Sequence, residues 1–215
     1  MFNSDWYIRI LVLLGLLFFC LLFFLTGMSD LSVADILRKV SSSTMLVLLF
    51  HYCFENYLWR CKWLRPLIVK VPNLHGTWKG NLQSSWIDPE TGNALAPIDI
   101  TVYIKQSFSS ISVEIHTDKM ISTSYIAGFR TDSETGLQEL CYTYSSKAHL
   151  ATRENNPWHD GTTKLTIYEG QSICLTGEYW TARKTIGTLS MNRISTSIER
   201  NVAAATANQL NRTAT

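Results

Sequence analysis

No two cysteines in this chain stand close enough to form a CxxC pair. Cys20, Cys53, Cys61, Cys141 and Cys174 are scattered singly, which indicates neither a disulfide framework nor a zinc site and fits a reducing compartment. Blocks of like charge are also missing, and 19 Lys+Arg against 17 Asp+Glu leave a net charge of only +2. That balance excludes the basic stripe with which proteins neutralise DNA or RNA backbones, so no nucleic-acid polymer is expected as a partner. The sequence contains no GxSxG, HExxH or GxxxxGK[ST], and no Asp/Glu cluster spaced for a metal. Its histidines are isolated: His75 begins a strand pattern, His116 and His159 lie at turn signals, and His149 sits in a polar strand or loop. Each reads as solvated rather than catalytic. No enzyme, metal or cofactor is expected.

What the chain has in excess is apolar sequence at its start. From Ile10 to Leu25 there is no charge and one glycine, and Trp6 to Leu25 would rise about 30 Å as a helix, enough to span a bilayer. A cleaved signal peptide has a shorter core and a small-residue cleavage site, whereas this run ends in Leu25-Thr26-Gly27-Met28, so a retained helix is expected. A polar link, Met28 to Lys39, leads to a second apolar segment from Ser41 to Trp59 that is long enough to cross again. Arg9 precedes the first run, and Arg60, Lys62, Arg65 and Lys70 follow the second. The positive-inside rule then predicts a two-pass hairpin over residues 1–65 with both termini cytoplasmic, in a lipid bilayer. His51 and Glu55, spaced i, i+4, share one face of the second helix. Such a pair either lines a self-association interface or water-filled path, or Glu55 reaches water near the cytoplasmic boundary beside Arg60 or Lys62.

Beyond a linker at 66–73, marked by Pro66 and Pro72, the pattern changes to alternating aromatic and β-branched residues broken by turn signals. The predicted strands are Leu74–Trp86, Ile98–Phe108, Ile111–His116, Met120–Arg130, Leu137–Ser146, Thr162–Tyr168, Ile173–Ala182 and Thr185–Arg193. Loops at Asp88–Asn93, Ser109–Ser110, Thr131–Gly136, His159–Gly161 and Glu169–Ser172 separate them. A meander of about eight strands removes its edges by closing into a small up-and-down, lipocalin-like β-barrel over residues 74–197. A sandwich is the alternative architecture. The Ala-, Asn- and Thr-rich segment 198–215 reads as a flexible tail.

Alternation assigns the inward faces. Leu74, Gly76, Trp78, Gly80, Leu82 and Trp86 share one face of the first strand, and Ile98, Ile100, Val102 and Ile104 one face of the second. In Ile173–Ala182 the face that opens with Ile173 and Leu175 passes Gly177 and ends in Tyr179, Thr181 and Arg183. An inward guanidinium needs a partner, which a bound phosphate supplies, while Trp78 and Tyr179 offer rings for a base. Trp78, Tyr179, Thr181 and Arg183 are therefore the candidate ligand residues. The competing arrangement has Gly177 as a bulge that flips the parity, burying Trp180 and leaving Arg183 in solvent, with Trp78 as plain core.

Two N-terminal membrane helices, a basic linker and a small β domain carrying Leu74-His75-Gly76-Thr77-Trp78-Lys79-Gly80 and Leu175-Thr176-Gly177-Glu178-Tyr179-Trp180-Thr181-Ala182-Arg183-Lys184 resemble the two-transmembrane, β-barrel effectors of bacterial cyclic-oligonucleotide antiphage signalling (CBASS). The resemblance extends to about Ile194. It implies that the barrel binds a cyclic dinucleotide made by a phage-sensing nucleotidyltransferase, that the protein forms a homo-oligomer in the bacterial inner membrane, and that membrane disruption kills the infected cell. The residues alone leave open a membrane-tethered carrier or sensor of an apolar small ligand, and a purely structural membrane adaptor.

Overall fold

The computed structural model describes residues 4–27, 32–61, 71–87, 92–150, 154, 156–170 and 172–200. Linker positions 66–70, the basic residues Lys62, Arg65 and Lys70, loop positions 88–91 and tail positions 201–215 lie outside the described residues. Contacts divide the chain into two units: Phe2–Pro72 with Ser107–Ser109, and Asn73–Gln106 with Ser110 onward.

The first unit is a helical hairpin of α1, Ser4–Thr26, and α2, Val33–Asn56, followed by a single 3-10 turn, Leu58–Arg60. Ser32 caps α2 by accepting a hydrogen bond from the Asp35 amide at 3.2 Å, and the Asp35 carboxylate favours the positive end of the helix dipole. The helices run antiparallel. The Tyr7 hydroxyl meets His51 Nδ1 at 2.7 Å, a Cβ on Gly15 would lie 3.6 Å from Val47, and Lys39 Nζ stands 3.9 Å from the Phe23 ring centroid. Among the described residues α1 alone, over Tyr7–Thr26, is long and apolar enough to cross a membrane. The predicted second crossing, Ser41–Trp59, is shorter as a helix. α2 ends at Asn56, and its apolar stretch is bounded by Ser41-Ser42-Ser43-Thr44 on one side and His51 and Glu55 on the other.

The second unit is all β. Its strands are β1 Gly76–Ser84, β2 Ile98–Gln106, β3 Ile111–His116, β4 Met120–Thr131, β5 Gln138–Ala148, β6 His159–Glu169, β7 Ile173–Thr181 and β8 Ile186–Ser195. They form a closed barrel in sequence order, with every neighbour antiparallel and β1 pairing β8 from Thr77↔Ser195 to Ser84↔Gly187. Closure leaves no free edge, so the barrel is realised and the sandwich is not. Two sequence expectations change. His159–Gly161, read as a turn, opens β6, because its residues pair with Ser146, Ser145 and Tyr144 of β5. Glu199 and Arg200, assigned to the flexible tail, are tied to the barrel: the Glu199 amide donates to Thr77 Oγ1 at 2.9 Å and Arg200 pairs with Glu114 at 2.9 Å. That strap covers Tyr103, an outward residue that is nonetheless only 2% exposed.

The barrel interior is graded along its axis. Trp78, Ile100, Val102, Ile104, Leu175 and Met191 fill the end where the chain enters β1, and all are essentially buried. Removing such apolar surface from water, worth about 25 cal/mol per Å², is the main stabilisation of the fold. Towards the opposite end the inward positions become Tyr144, Tyr179, Ser84, Ser146 and Thr181, and there the packing opens.

Candidate ligand site

The open end is formed where β1, β3, β5 and β7 finish and β2, β4, β6 and β8 begin. A cavity of about 520 Å³ lies there, lined by side chains that include Ser84, Trp86, Ile98, Lys119, Ser146, His159, Tyr144, Tyr179, Thr181 and Arg183. Its size falls within the range of small-molecule sites, about 300–1,000 Å³.

β7 delivers three of the sequence candidates. Along it Leu175 and Tyr179 are buried while Thr176, Glu178 and Trp180 are exposed, so the inward parity runs unbroken from Leu175 through Gly177 to Thr181. Gly177 is not a parity-flipping bulge. It pairs in register with both Leu165 and Leu189, and a Cβ there would press on the Lys164 carbonyl and Leu165 Cα. Its lack of a side chain lets β6 and β7 approach, and Tyr179 keeps its place at the cavity.

Thr181 lines the cavity and also shapes the turn beyond it. Its amide donates to the Thr185 carbonyl at 3.0 Å, and its hydroxyl accepts from the Thr185 amide at 3.3 Å. Lys184 completes this turn with φ 60°, in the left-handed region that a non-glycine residue enters at a cost. The result presents Arg183 at the rim. The guanidinium acts electrostatically on Tyr144, Tyr179 and His159, and no ion pair holds it among the described residues.

Trp78 does not line the cavity. It is 0% exposed, its indole N–H donates to the Leu74 carbonyl at 3.0 Å, and Arg193 stands 5.8 Å from its ring. These surroundings are those of core.

Two residues that sequence reasoning passed over also line the cavity. Tyr144 follows Leu140 and Tyr142 on the inward face of β5, so the alternation applied to β7 was sufficient to find it. Burial pushes its hydroxyl well above the usual tyrosine range, with Tyr179 adding to the effect. His159 was hidden by the turn-like His-Asp-Gly sequence. Burial holds its imidazole below the usual histidine range, and Arg183 pushes the same way against the Pro157 carbonyl. Because that carbonyl, 3.1 Å from Nδ1, can only accept, Nδ1 carries the proton and Nε2 remains the acceptor of the neutral ring.

The helical candidates are paired within their own unit. His51 meets Tyr7. Glu55 Oε1 accepts from Ser107 Oγ at 2.6 Å, from Ser109 Oγ at 2.6 Å and from the Ser109 amide at 2.9 Å, while the Phe108 amide donates to the Glu55 carbonyl at 3.1 Å. Phe108 is buried with Phe54 and Trp59. The two residues do share a face, but serine partners more than fifty positions away were not foreseeable from i, i+4 spacing.

Residues 69–193, more than half of the chain, match the family model of the Cap15 cyclic dinucleotide receptor domain. The chain is also 29% identical over 141 residues, 66% of its own length and 71% of the relative's, to CD-NTase-associated protein 15 of Staphylococcus schleiferi. The matched region contains the cavity and all of its lining residues.

Proposed function

Because the chain belongs to the Cap15 cyclic dinucleotide receptor family, we propose that the open end of its barrel is where the cyclic dinucleotide binds, and that binding turns a membrane-anchored antiphage effector on. The observation that carries the reading is Arg183, a cation at the rim of a cavity whose wall is two tyrosine rings. Arg183 takes a ligand phosphate through charge-assisted hydrogen bonds, a base lies against Tyr144 and Tyr179, and Thr181 holds the turn that aims the guanidinium. His159 gains a proton when an anion approaches. A net charge of +2 suits a ligand with two phosphates rather than a polymer.

Downstream, binding favours an assembly-competent state. Homo-oligomers gather α1, and with it α2 as a second membrane element with both termini cytoplasmic, until the bacterial inner membrane loses integrity. The test is co-expression of the full chain with a cyclic dinucleotide synthase, reading dye entry into cells. Dye enters only when both are present, and Arg183→Ala cells remain intact. Equal dye entry with and without the synthase contradicts the proposal, and full activity of Arg183→Ala contradicts the assigned site, as an apolar-ligand receptor would require.

A further inference from the structure

Two inward positions beside the cavity's tyrosines carry no side chain. Across the strands, Tyr144 of β5 pairs with Gly161 of β6, and one row deeper Tyr179 of β7 pairs with Gly187 of β8. Each ring lies over the glycine of the following strand: a Cβ built on Gly161 would stand 2.5 Å from Tyr144 Cζ and Oη, and one on Gly187 would stand 2.5 Å from Tyr179 Cε1. The outer atoms of the two rings therefore rest against the glycines of the neighbouring strands, and both tyrosines are buried, at 7% and 6% exposure. Neither glycine has a positive φ, so backbone conformation does not demand them. At Gly161 the closest obstacle to a side chain is the Tyr144 ring.

The two differ in what a side chain would strike. At Gly187 the Gln83 carbonyl also blocks a Cβ, so the backbone itself resists substitution. At Gly161 the nearest atoms are the far end of the Tyr144 side chain, with the Trp180 carbonyl at 3.0 Å. Moving the Tyr144 ring relieves the closest contacts of a methyl group at 161, leaving the Trp180 carbonyl to give by a few tenths of an ångström, and Tyr144 lines the cavity.

We infer that Gly161 sets the depth of the ligand site: by letting Tyr144 lie against β6, it leaves room for a planar base at the open end, and any side chain at 161 closes that room from behind. This rests on the binding reading above. Within that reading Gly161 is a positioning residue, acting through Tyr144 and touching no ligand.

The test uses the full chain in detergent micelles, titrated calorimetrically with cyclic di-AMP, cyclic di-GMP and cyclic di-UMP, comparing wild type, Gly161→Ala, Tyr144→Ala and the double variant, each with a thermal melt. Gly161→Ala is expected to melt near wild type yet bind the preferred ligand about tenfold or more weakly. In the Tyr144→Ala background the same substitution is expected to cost little further affinity, because no ring is left to displace. If wild type binds and Gly161→Ala binds as well, or if the loss persists undiminished without Tyr144, this inference is overturned while the binding reading stands. If wild type binds none of the three, the binding reading falls and takes the inference with it. Should Gly161→Ala alone fail to fold, recovery of folding in the double variant supports the ring as the obstacle, and failure of both overturns it.

Discussion

Arg183, the proposed phosphate contact, and Trp78, a core residue, should respond in opposite ways to substitution. Arg183 is exposed at the rim, so Arg183→Ala should leave the melting temperature unchanged while weakening cyclic dinucleotide binding about 10- to 100-fold, the worth of a hydrogen bond to a charged group. Trp78→Ala should do the reverse in kind, costing about 3–5 kcal/mol of stability through the cavity left in the core, as read by denaturant or thermal unfolding. His159 adds a pH dependence. Its proton affinity in the free barrel lies below the ordinary histidine value of about 6.5, so the unfolded chain binds more protons than the folded one near and below that pH. Stability from this group is thus fully present above about 6.5 and is lost as pH falls. Ligand binding has the opposite sign, since a phosphate beside the ring favours its protonated form. Affinity should rise between pH 7.5 and 6, with proton uptake visible in calorimetry across buffers of different ionisation heat, and His159→Gln should flatten the trend.

At the scale of elements, the turn after β7 decides where Arg183 points. Thr181→Ala removes a hydroxyl whose contacts, at 3.3 and 3.4 Å, are long, so the stability cost should be small, about 0.5 kcal/mol. Binding should fall several-fold because the rim loosens. Lys184→Val should destabilise the barrel more than Lys184→Gly, since a β-branched residue resists the left-handed conformation that glycine adopts freely; paired thermal melts check the order. The strands themselves were legible in the sequence because a period of two is written directly in it. Leu175, Tyr179 and Thr181 stay on the face that alternation assigned them, and α1 needs only its length and lack of charge. Register was not legible. That Tyr144 meets Gly161, and that Glu55 meets Ser107 and Ser109, depends on which strand or turn lies opposite, and no local period encodes it. The His159 turn reading failed for the same reason, since pairing with β5 overrides the turn preference of Asp-Gly.

For the whole molecule, the sequence resemblance to CBASS effectors and the match over residues 69–193 converge on one receptor domain. The side chains near the start of β1 are buried core while the other end holds a cavity of a size a ligand could enter. Everything proposed about assembly and membrane disruption depends on that occupancy. The most direct measurement is a calorimetric titration of the full-length protein with a panel of cyclic dinucleotides, run in parallel on Arg183→Ala and on Arg130→Ala, whose arginine lies on β4 towards the opposite end, 3.8 Å from Glu139. If Arg183 holds the ligand phosphate at the open end, wild type and Arg130→Ala bind the same cyclic dinucleotide alike and Arg183→Ala loses most of the affinity. Equal binding by all three proteins would contradict it.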